Sequence, residues 1–428
     1  MTCAILLGIG LFSCNSDYEF AYLYRKLPFE MGQVGRPQIP PREISIVDFG
    51  GVGDGMALNT EVFAKAIEVL DQNGGGRIVV PMGVWLTGPV ALKDRIELHI
   101  SKDAVLMYAG DGSASEPSPA MISASGVKDV AVTGAGIIDG SRMAGNTAVL
   151  SFYDCENVLL EDCILQNVQD LAIHPSGCDE LIIKDVTVNA SSSSKNADGL
   201  LVELCEDVLV LNSRFDVSAD AVGLRSVKNL IIENCNVLHC KGGLVLDKSV
   251  NGGVQNVAVE GCRFLAADYG IRFVCGRGSG AAVENLYVKD VVMADITAEP
   301  LSFDMYDKPK SAVDIDYVPA DASTPMMKGI HISNLICGGA ARAMYFGGIP
   351  EMNIENVVIK DCKIVSAKGA DLRYSSGVVI RNMELNQSDS LGYALSNCKN
   401  VVMQGCTDAT GGAIPAVRQY KSENVTLD

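Results

Sequence analysis

Four charged side chains stand at spacings that would let them meet. Asp198 and Asp220 lie 22 residues apart, and Lys241 and Arg272 follow within the next 52 residues. Two carboxyls held close together can divide the roles of proton donor and proton acceptor, which is general acid and base chemistry. Ammonium and guanidinium groups beside them can hold an anionic partner, the guanidinium in a two-pronged way. The spacing therefore predicts a cluster of two acids and two bases, if the chain folds in units of that length.

An internal repeat of that length fills the chain after residue 90. Each copy is a polar turn followed by apolar residues at alternate positions, which is the periodicity of a β-strand. The copies begin at Asn157, Glu180, Asp207, Asn229, Asn256, Asn285, Gly329, Asn356, Gly377 and Asn400, mostly 21 to 29 residues apart. The one gap of 44 residues contains Asp304 to Pro325 and predicts a loop excursion from a single coil.

A strand, a turn and another strand cannot bury their apolar face alone, and stacking such units into a solenoid solves that problem. Leucine-rich repeats are the main rival architecture, but their Leu-x-x-Leu-x-Leu frame does not recur in this sequence. We therefore predict an all-β chain that forms a single right-handed parallel β-helix, the hand being that of parallel crossovers. In such a solenoid the backbones of Asp198 and Asp220 would stack about 5 Å apart.

The cysteines support the stacking of coils. Five of them fall seventh in their repeats: Cys163, Cys235, Cys262, Cys362 and Cys406. Corresponding residues of successive coils lie above one another, so we interpret these thiols as small buried apolar residues on one interior line. A metal site is the alternative, but no C-x-x-C pair is present and the spacing fits no zinc pattern. We predict no metal site and no cofactor.

Charge limits the class of partner. The 428 residues include 34 Lys and Arg against 52 Asp and Glu, a formal net charge of −18, and are 48% hydrophobic. This composition is that of a folded protein. It argues against nucleic acid as a partner, because phosphate recognition needs a basic surface.

The N-terminal end has the pattern of a targeting segment. Residues 4–12 are almost wholly apolar and run into Leu11-Phe12-Ser13-Cys14. This resembles a bacterial lipoprotein signal, so we predict a signal segment over residues 1–13 and lipidation of Cys14. A plain secretory signal and an unrelated apolar end are the alternatives. No later run of 18 apolar residues exists, so the predicted contact with a membrane is through the lipid anchor alone.

Two elements are predicted before the repeats. Residues 14–44 form an extended lead-in, because the chain from Leu27 to Arg42 is irregular and contains Pro. Asn59-Thr60-Glu61 then precedes an amphipathic stretch with an N-cap start, which predicts an N-terminal helix that caps the first coil. The stretch carries its apolar face on Val62, Phe63, Ala66, Ile67 and Leu70. Residues 45–428 are predicted as one β-helix domain.

Several segments resemble glycoside hydrolase family 28. VDFGGVGDG from Val47, with Leu58-Asn59-Thr60, resembles the start of that family, and GGGRIVVP from Gly74, VWLTGP from Val84 and GAGIIDG from Gly134 resemble later landmarks. LPFEM at Leu27 is similar to its bacterial branch of secreted pectin-degrading enzymes. The resemblance covers roughly residues 45 to 425. It implies the pectin-lyase-like form of the right-handed β-helix. It also implies a polygalacturonase-like hydrolase that cleaves glycosidic bonds with inversion at the anomeric carbon.

The resemblance also implies an active site built from four short motifs. The family has Asn-Thr-Asp, Gly-Asp-Asp, Gly-His-Gly and Arg-Ile-Lys, and this chain keeps part of each. The matching segments are Asn196-Ala197-Asp198, Ser218-Ala219-Asp220, Cys240-Lys241-Gly242 and Arg272-Phe273-Val274. Ala219 stands where the family has its general acid. The expected catalytic residues are Asp198 as base and Asp220 as surviving acid or second base.

The expected substrate-binding residues are Asn196, Arg225, Lys241, Arg272 and His174. Arg225 and Arg272 are candidate partners for a sugar carboxylate, since Val274 replaces the Lys that the family uses. Simpler interpretations remain: the two aspartates as turn caps, His174 as a packing residue and Arg272 as a surface ion partner.

Three functions remain open. The first is a secreted hydrolase of a pectin-type or related polysaccharide with a degenerate active site. The second is a carbohydrate-binding pseudoenzyme of the same fold. The third is a lyase with Lys241 or an Arg as base, although no acidic calcium cluster stands out. The predicted protein is a monomer that binds a polysaccharide or oligosaccharide. Its predicted location is the periplasm or outer membrane of a Gram-negative bacterium.

Overall fold

A computed structural model describes residues 19–110, 120–143, 147–246, 252–306, 313–412 and 415–428. The predicted signal segment 1–13 and Cys14 lie outside the described residues. Within the described ranges, no helix is both long enough and apolar enough to cross a membrane.

The described part of the chain contains 39 strands, two α-helices and one 3-10 helix. The helices are α1 (Ala21–Tyr24), α2 (Thr60–Gln72) and η1 (Ile46–Phe49). The first strands are β1 (Glu43–Ser45), β2 (Asp54–Leu58), β3 (Gly76–Val80), β4 (Gly83–Thr87), β5 (Val90–Leu92), β6 (Ile96–Ile100), β7 (Ala104–Tyr108), β8 (Ala120–Ser125), β9 (Lys128–Thr133), β10 (Ile137–Asp139), β11 (Ala148–Tyr153), β12 (Glu156–Glu161), β13 (Ile164–Val168), β14 (Leu171–Ser176), β15 (Asp179–Lys184), β16 (Thr187–Ala190), β17 (Asp198–Glu203), β18 (Glu206–Leu211), β19 (Arg214–Asp216) and β20 (Asp220–Arg225).

The remaining strands are β21 (Val227–Glu233), β22 (Asn236–Leu238), β23 (Gly242–Leu246), β24 (Val254–Glu260), β25 (Arg263–Leu265), β26 (Tyr269–Val274), β27 (Ala282–Ala294), β28 (Leu301–Asp304), β29 (Met326–Cys337), β30 (Arg342–Gly347), β31 (Ile354–Lys360), β32 (Lys363–Ser366), β33 (Lys368–Arg373), β34 (Ser375–Arg381), β35 (Glu384–Gln387), β36 (Tyr393–Ser396), β37 (Lys399–Gln404), β38 (Val417–Tyr420) and β39 (Glu423–Leu427). The gap between β28 and β29 coincides with the predicted loop excursion.

These strands form two parallel sheets that wind into a right-handed β-helix, as predicted. Sheet A has 26 strands. Sheet B has 13 strands, with neighbours in the order β5, β8, β11, β14, β17, β20, β23, β26, β28, β30, β33, β36 and β38. A typical coil places one strand in sheet B and two in sheet A, as β17, β18 and β19 do. Side chains from successive coils therefore stack into columns along the solenoid.

One column holds the first residue of every copy of the repeat. The backbone there adopts positive φ, a conformation that Asn and Gly tolerate better than other residues. The column runs through Asn157, Glu180, Asp207, Asn229, Asn256, Asn285, Gly329, Asn356, Gly377 and Asn400, with φ between 53° and 71°. Where Asn follows Asn, the amides bond to each other: Nδ2 of Asn256 donates to Oδ1 of Asn229 at 2.9 Å, and Nδ2 of Asn285 to Asn256 at 3.0 Å. The turn signal in the sequence is thus a stacked amide ladder.

The interior is apolar and includes the predicted line of thiols. Register places Cys163, Val186, Ser213, Cys235 and Cys262 in one buried column, which confirms the prediction. All 12 described cysteines are free and buried. Burial raises the pKa of Cys163 to about 12, so its thiol stays neutral and behaves as a small apolar group.

The predicted cap is confirmed as α2, which buries Phe63, Ala66, Ile67 and Leu70 against the first coils. Asn59 is its N-cap residue, but the side chain makes no capping bond to the helix. Its Oδ1 accepts instead from the backbone N–H of Val52 at 2.9 Å, and its Nδ2 donates to three carbonyls nearby. Asn59 therefore ties the cap to the turn that precedes it.

The lead-in packs along the outer face of sheet A and includes the single turn of α1, which the sequence did not predict. Phe20, Leu23 and Val34 are buried there against a second apolar cluster. Arg36 forms a bidentate pair with Glu161 on β12, with N···O distances of 2.7 and 2.8 Å. That contact holds the pKa of Glu161 down at about 2. The first strand of the solenoid, β1, begins at Glu43.

Candidate active site

The predicted carboxyl pair lies on neighbouring coils of sheet B. Asp198 is the first residue of β17 and Asp220 is the first residue of β20, and the two strands pair in register. The backbone N–H of Asp220 donates to Oδ1 of Asp198 at 2.8 Å. The spacing of 22 residues therefore corresponds to one coil, and both carboxyl groups begin their strands at the same corner of the solenoid.

Asp198 is a half-buried carboxyl whose pKa is raised. Burial is the largest cause, and the negative charge of Asp170 adds to it. The N–H of Asp220 and the positive charges of Lys241 and Arg225 act in the opposite direction but do not cancel the rise. The environment of Asp198 thus favours its protonated form.

Lys241 lies in the turn before β23 and Asn196 in the turn before β17. Nζ of Lys241 donates to Oδ1 of Asn196 at 2.9 Å, across two coils. Both side chains are exposed at the rim of the corner that carries the carboxyl pair. Lys241 thereby brings a positive charge and Asn196 an amide to the same edge.

His174 and Arg225 meet at a residue that the sequence did not single out. Nε2 of His174 lies 3.0 Å from Oε2 of Glu203, and Nη1 of Arg225 lies 3.8 Å from Oε1 of the same carboxylate. The ring of Tyr153, which is 43% exposed, stands edge-on to His174 with centroids 6.0 Å apart. These four side chains form a ridge along the outer edge of sheet B, beside the carboxyl pair.

Arg272 lies on β26, two coils beyond Asp220. Its guanidinium sits over the ring of Tyr269, 5.1 Å from the centroid. No ion pair of Arg272 is found among the described residues, so its charge can meet an anionic ligand.

A pocket of about 140 Å³ next to the carboxyls is lined by Asp198, Asp220, Arg225 and nearby apolar residues, but not by Lys241 or Arg272. The structure thus brings five of the predicted residues to one corner of sheet B: Asp198, Asp220, Asn196, Arg225 and Lys241. His174 and Arg272 lie farther along the same face.

Ala219 is 4% exposed, and its N–H donates to the carbonyl of Ala197 at 2.9 Å. Because its side chain is a methyl group, position 219 supplies no carboxyl group to the corner that carries Asp198 and Lys241. Among the described residues, no three His, Cys, Asp or Glu side chains gather in a way that could hold a metal ion.

A larger pocket, about 310 Å³, lies on sheet A beneath the lead-in. Its carboxylates already have partners: Glu233 accepts from the hydroxyl of Tyr22 at 2.9 Å, and Glu260 pairs with Lys289. This pocket is larger than the one beside the carboxyls, but the stacked carboxyls, with Lys241 and Arg272 near them, are on sheet B. We therefore place the candidate active site on sheet B.

Sequence reasoning missed Asp170, Glu203 and Tyr153. Glu203 lies five residues after Asp198, at an outward position of β17, so strand alternation could have indicated it. Asp170 lies 27 residues before Ala197, whereas Ala197 and Ala219 are 22 apart. Because this coil is longer, the sequence spacing does not show that Asp170 stacks beside Ala197.

The sequence model of the glycosyl hydrolases family 28 matches residues 72–339, which is more than half of the chain. The chain belongs to glycoside hydrolase family 28. This confirms the family expected from the motifs, together with its polygalacturonase-like fold.

Curated relatives of this family 28 chain include a probable polygalacturonase of Vitis vinifera, 26% identical over 367 residues that cover 75% of this chain and 74% of the relative. An exo-poly-alpha-D-galacturonosidase of Dickeya chrysanthemi is 23% identical over 362 residues, covering 65% of this chain and 60% of the relative. Among solved structures, an exopolygalacturonase from Thermotoga maritima superposes with a TM-score of 0.70 at 24% identity, covering 87% of this chain and 94% of the other. The structural likeness establishes the fold.

Proposed function

We propose that this family 28 chain is a polygalacturonase-like hydrolase that cleaves pectin-type polysaccharides with inversion at the anomeric carbon. The observation that carries the proposal is the stacked pair of Asp198 and Asp220, joined by a 2.8 Å bond from the N–H of Asp220. Glycoside hydrolysis requires a pair of carboxyls that flanks the scissile bond. The names of the curated relatives supply the sugar: galacturonan chains.

Inversion needs one protonated carboxyl to protonate the leaving oxygen and one carboxylate to activate water on the opposite face of the sugar. Burial and the charge of Asp170 raise the pKa of Asp198, so we assign the proton donor to Asp198. Asp220 is then the carboxylate that activates water. This division reverses the roles expected from the motifs, because a desolvated carboxyl retains its proton to higher pH.

The substrate-binding groups surround this pair. Arg272 carries a guanidinium without an ion partner among the described residues, and it binds a uronate carboxylate in a two-pronged way. Lys241 and Asn196 hold a second sugar from the rim. His174 and Arg225, both anchored on Glu203, bind hydroxyl groups on the other side of the cleavage point.

Ala219 supports a second candidate, a carbohydrate-binding pseudoenzyme. General acid assistance contributes roughly 10²–10⁴-fold to rate, so an unchanged family mechanism without that carboxyl would run very slowly. The same face of sheet B would then bind polysaccharide without releasing product.

Reducing-sugar release from polygalacturonate by the natural protein, Ala219→Asp and Asp198→Asn separates the candidates. The hydrolase predicts release that Asp198→Asn removes and that Ala219→Asp raises. Binding of oligogalacturonides without release by any variant would favour the pseudoenzyme. Turnover that survives Asp198→Asn would place the active site elsewhere.

We also propose that the chain is exported by a bacterium and anchored by lipid on Cys14. The support is the apolar segment before Leu11-Phe12-Ser13-Cys14. Mass spectrometry of the native protein should find a mature chain that begins with lipidated Cys14. Native protein that retains residues 1–13 would contradict the anchor.

A further inference from the structure

A single column of the solenoid contains both Ala219 and an acid outside the four motifs. β14 pairs with β17 so that Leu171 lies beside Asp198, which places Asp170 beside Ala197. The N–H of Ala219 bonds to the carbonyl of Ala197 at 2.9 Å, and the N–H of Lys241 to that of Ala219 at 2.8 Å. The column therefore runs through Asp170, Ala197, Ala219, Lys241 and Asp268.

Asp170 adjoins Asp198 from the coil on the opposite side to Asp220. Its carbonyl accepts the backbone N–H of Asp198 at 2.6 Å, so the two residues are in direct backbone contact. The side chain of Asp170 is half-buried, like that of Asp198. The corner thus holds three carboxyls on three successive coils, with Asp198 in the middle.

We propose that Asp170 is a positioning residue that keeps Asp198 in its proton-donating form, in place of the carboxyl that Ala219 lacks. The proposal rests on the hydrolase function proposed above. The groups that act on Asp198 are the charge of Asp170 from the β14 side, the backbone N–H of Asp220 from β20, and the charges of Arg225 and Lys241. Asp170 and burial favour the protonated carboxyl, whereas Lys241 and Arg225 favour the carboxylate.

This arrangement explains how the site can work with two alanines in the column. The negative charge that would come from position 219 comes instead from position 170, two coils away along the same column. Asp198 then has the negative charge of Asp170 beside it, and that charge opposes its ionisation.

The first test does not need turnover. The urea midpoint is measured for the natural protein, Asp170→Asn, Asp198→Asn and the double variant at pH 7 and pH 3. At pH 7, Asp170→Asn should raise the midpoint by more when Asp198 is present than when it is Asn. At pH 3, where Asp198 with its raised pKa is mostly protonated, the difference should be much smaller. Equal shifts in both backgrounds at pH 7 would overturn the proposal.

The second test is the pH profile of kcat/KM with oligogalacturonides as the probe. A proton donor loses activity as pH rises through its pKa, so Asp170→Asn should move the basic limb to lower pH. Asp268→Asn is the matched control: Asp268 lies in the same column, is exposed and bonds to Thr297, and its substitution should leave the limb in place. A fall in kcat without movement of the limb would contradict the role of Asp170.

The two tests separate this inference from the hydrolase itself. Coupling of Asp170 with Asp198 in the absence of hydrolysis by any variant would overturn the hydrolase while supporting the electrostatic pairing. Hydrolysis with no coupling and no movement of the basic limb would support the hydrolase and reject the role of Asp170.

Discussion

The outer faces of sheet A and sheet B are built on the same coils but differ in how their polar groups are paired. On sheet A the charged and amide groups bond to equivalent residues of the next coil, as in the asparagine ladder and the pair of Lys228 with Glu206. On sheet B the corner column changes from Asp to Ala, Lys and Asp within five coils, and Arg272 has no ion partner among the described residues. The column on sheet B whose chemistry changes from coil to coil is the one at which we propose the active site.

The largest expected effect is on sheet B. Asp220→Asn should lower kcat for oligogalacturonides by roughly 10²–10⁴-fold, because water loses its base. The urea midpoint should stay close to that of the natural protein, since the change is nearly isosteric. An unchanged kcat in Asp220→Asn would show that the carboxyl pair on sheet B is not the active site.

Acid should weaken the lead-in on sheet A without any substitution. The pKa of Glu161 falls from an ordinary 4.5 to about 2 in the fold, chiefly through Arg36. Its ion pairs therefore stabilise the fold above pH 4.5, and that stability is lost as pH falls towards 2. The loss is at most about 3 kcal/mol. Urea midpoints between pH 5 and pH 2 measure it, with Glu161→Gln as a control that lacks this transition.

Substitution within the asparagine ladder should affect stability but not turnover. Asn256→Ala loses two amide bonds and places Ala at a φ of 60°, at a cost of about 2–3 kcal/mol. Asn256→Gly keeps the positive φ without strain, so it should lower the free energy of unfolding by about 1 kcal/mol less than Asn256→Ala does. Urea denaturation measures both variants. A loss of activity at temperatures where Asn256→Ala is still folded would break the distinction between the two faces.

The smallest effect concerns the cation on sheet B. Arg272→Lys keeps the charge but loses the planar contact with Tyr269 and the two-pronged geometry. KM for oligogalacturonides should rise about tenfold, which is about 1.4 kcal/mol, with kcat little changed. An unchanged KM would show that Arg272 is only a surface residue.

The sequence was sufficient to predict the features that recur in every coil, but not those that differ from one coil to the next. All ten predicted repeat starts lie in one column of positive φ, because a turn needs the same backbone in every coil. The cap α2, the thiol column and the stacking of Asp198 on Asp220 were predictable for the same reason. Asp170 was not, because the turn before β17 lengthens its coil and removes the 22-residue spacing. The one-turn helix α1 is too short to have a period, and the pairing of His174 with Glu203 depends on side-chain direction.

The lead-in has a mechanical consequence. Tension applied at Glu19 would pass to Arg36 and to Lys184 at the end of β15, because Glu19 bonds to Arg36 at 2.6 Å and lies 3.8 Å from Lys184. The contacts of the lead-in with several coils would then bear the load together instead of opening one after another. A molecule held by its N-terminal end in flowing liquid would therefore transmit drag through the side of the solenoid, and the capped first coil would remain unstretched.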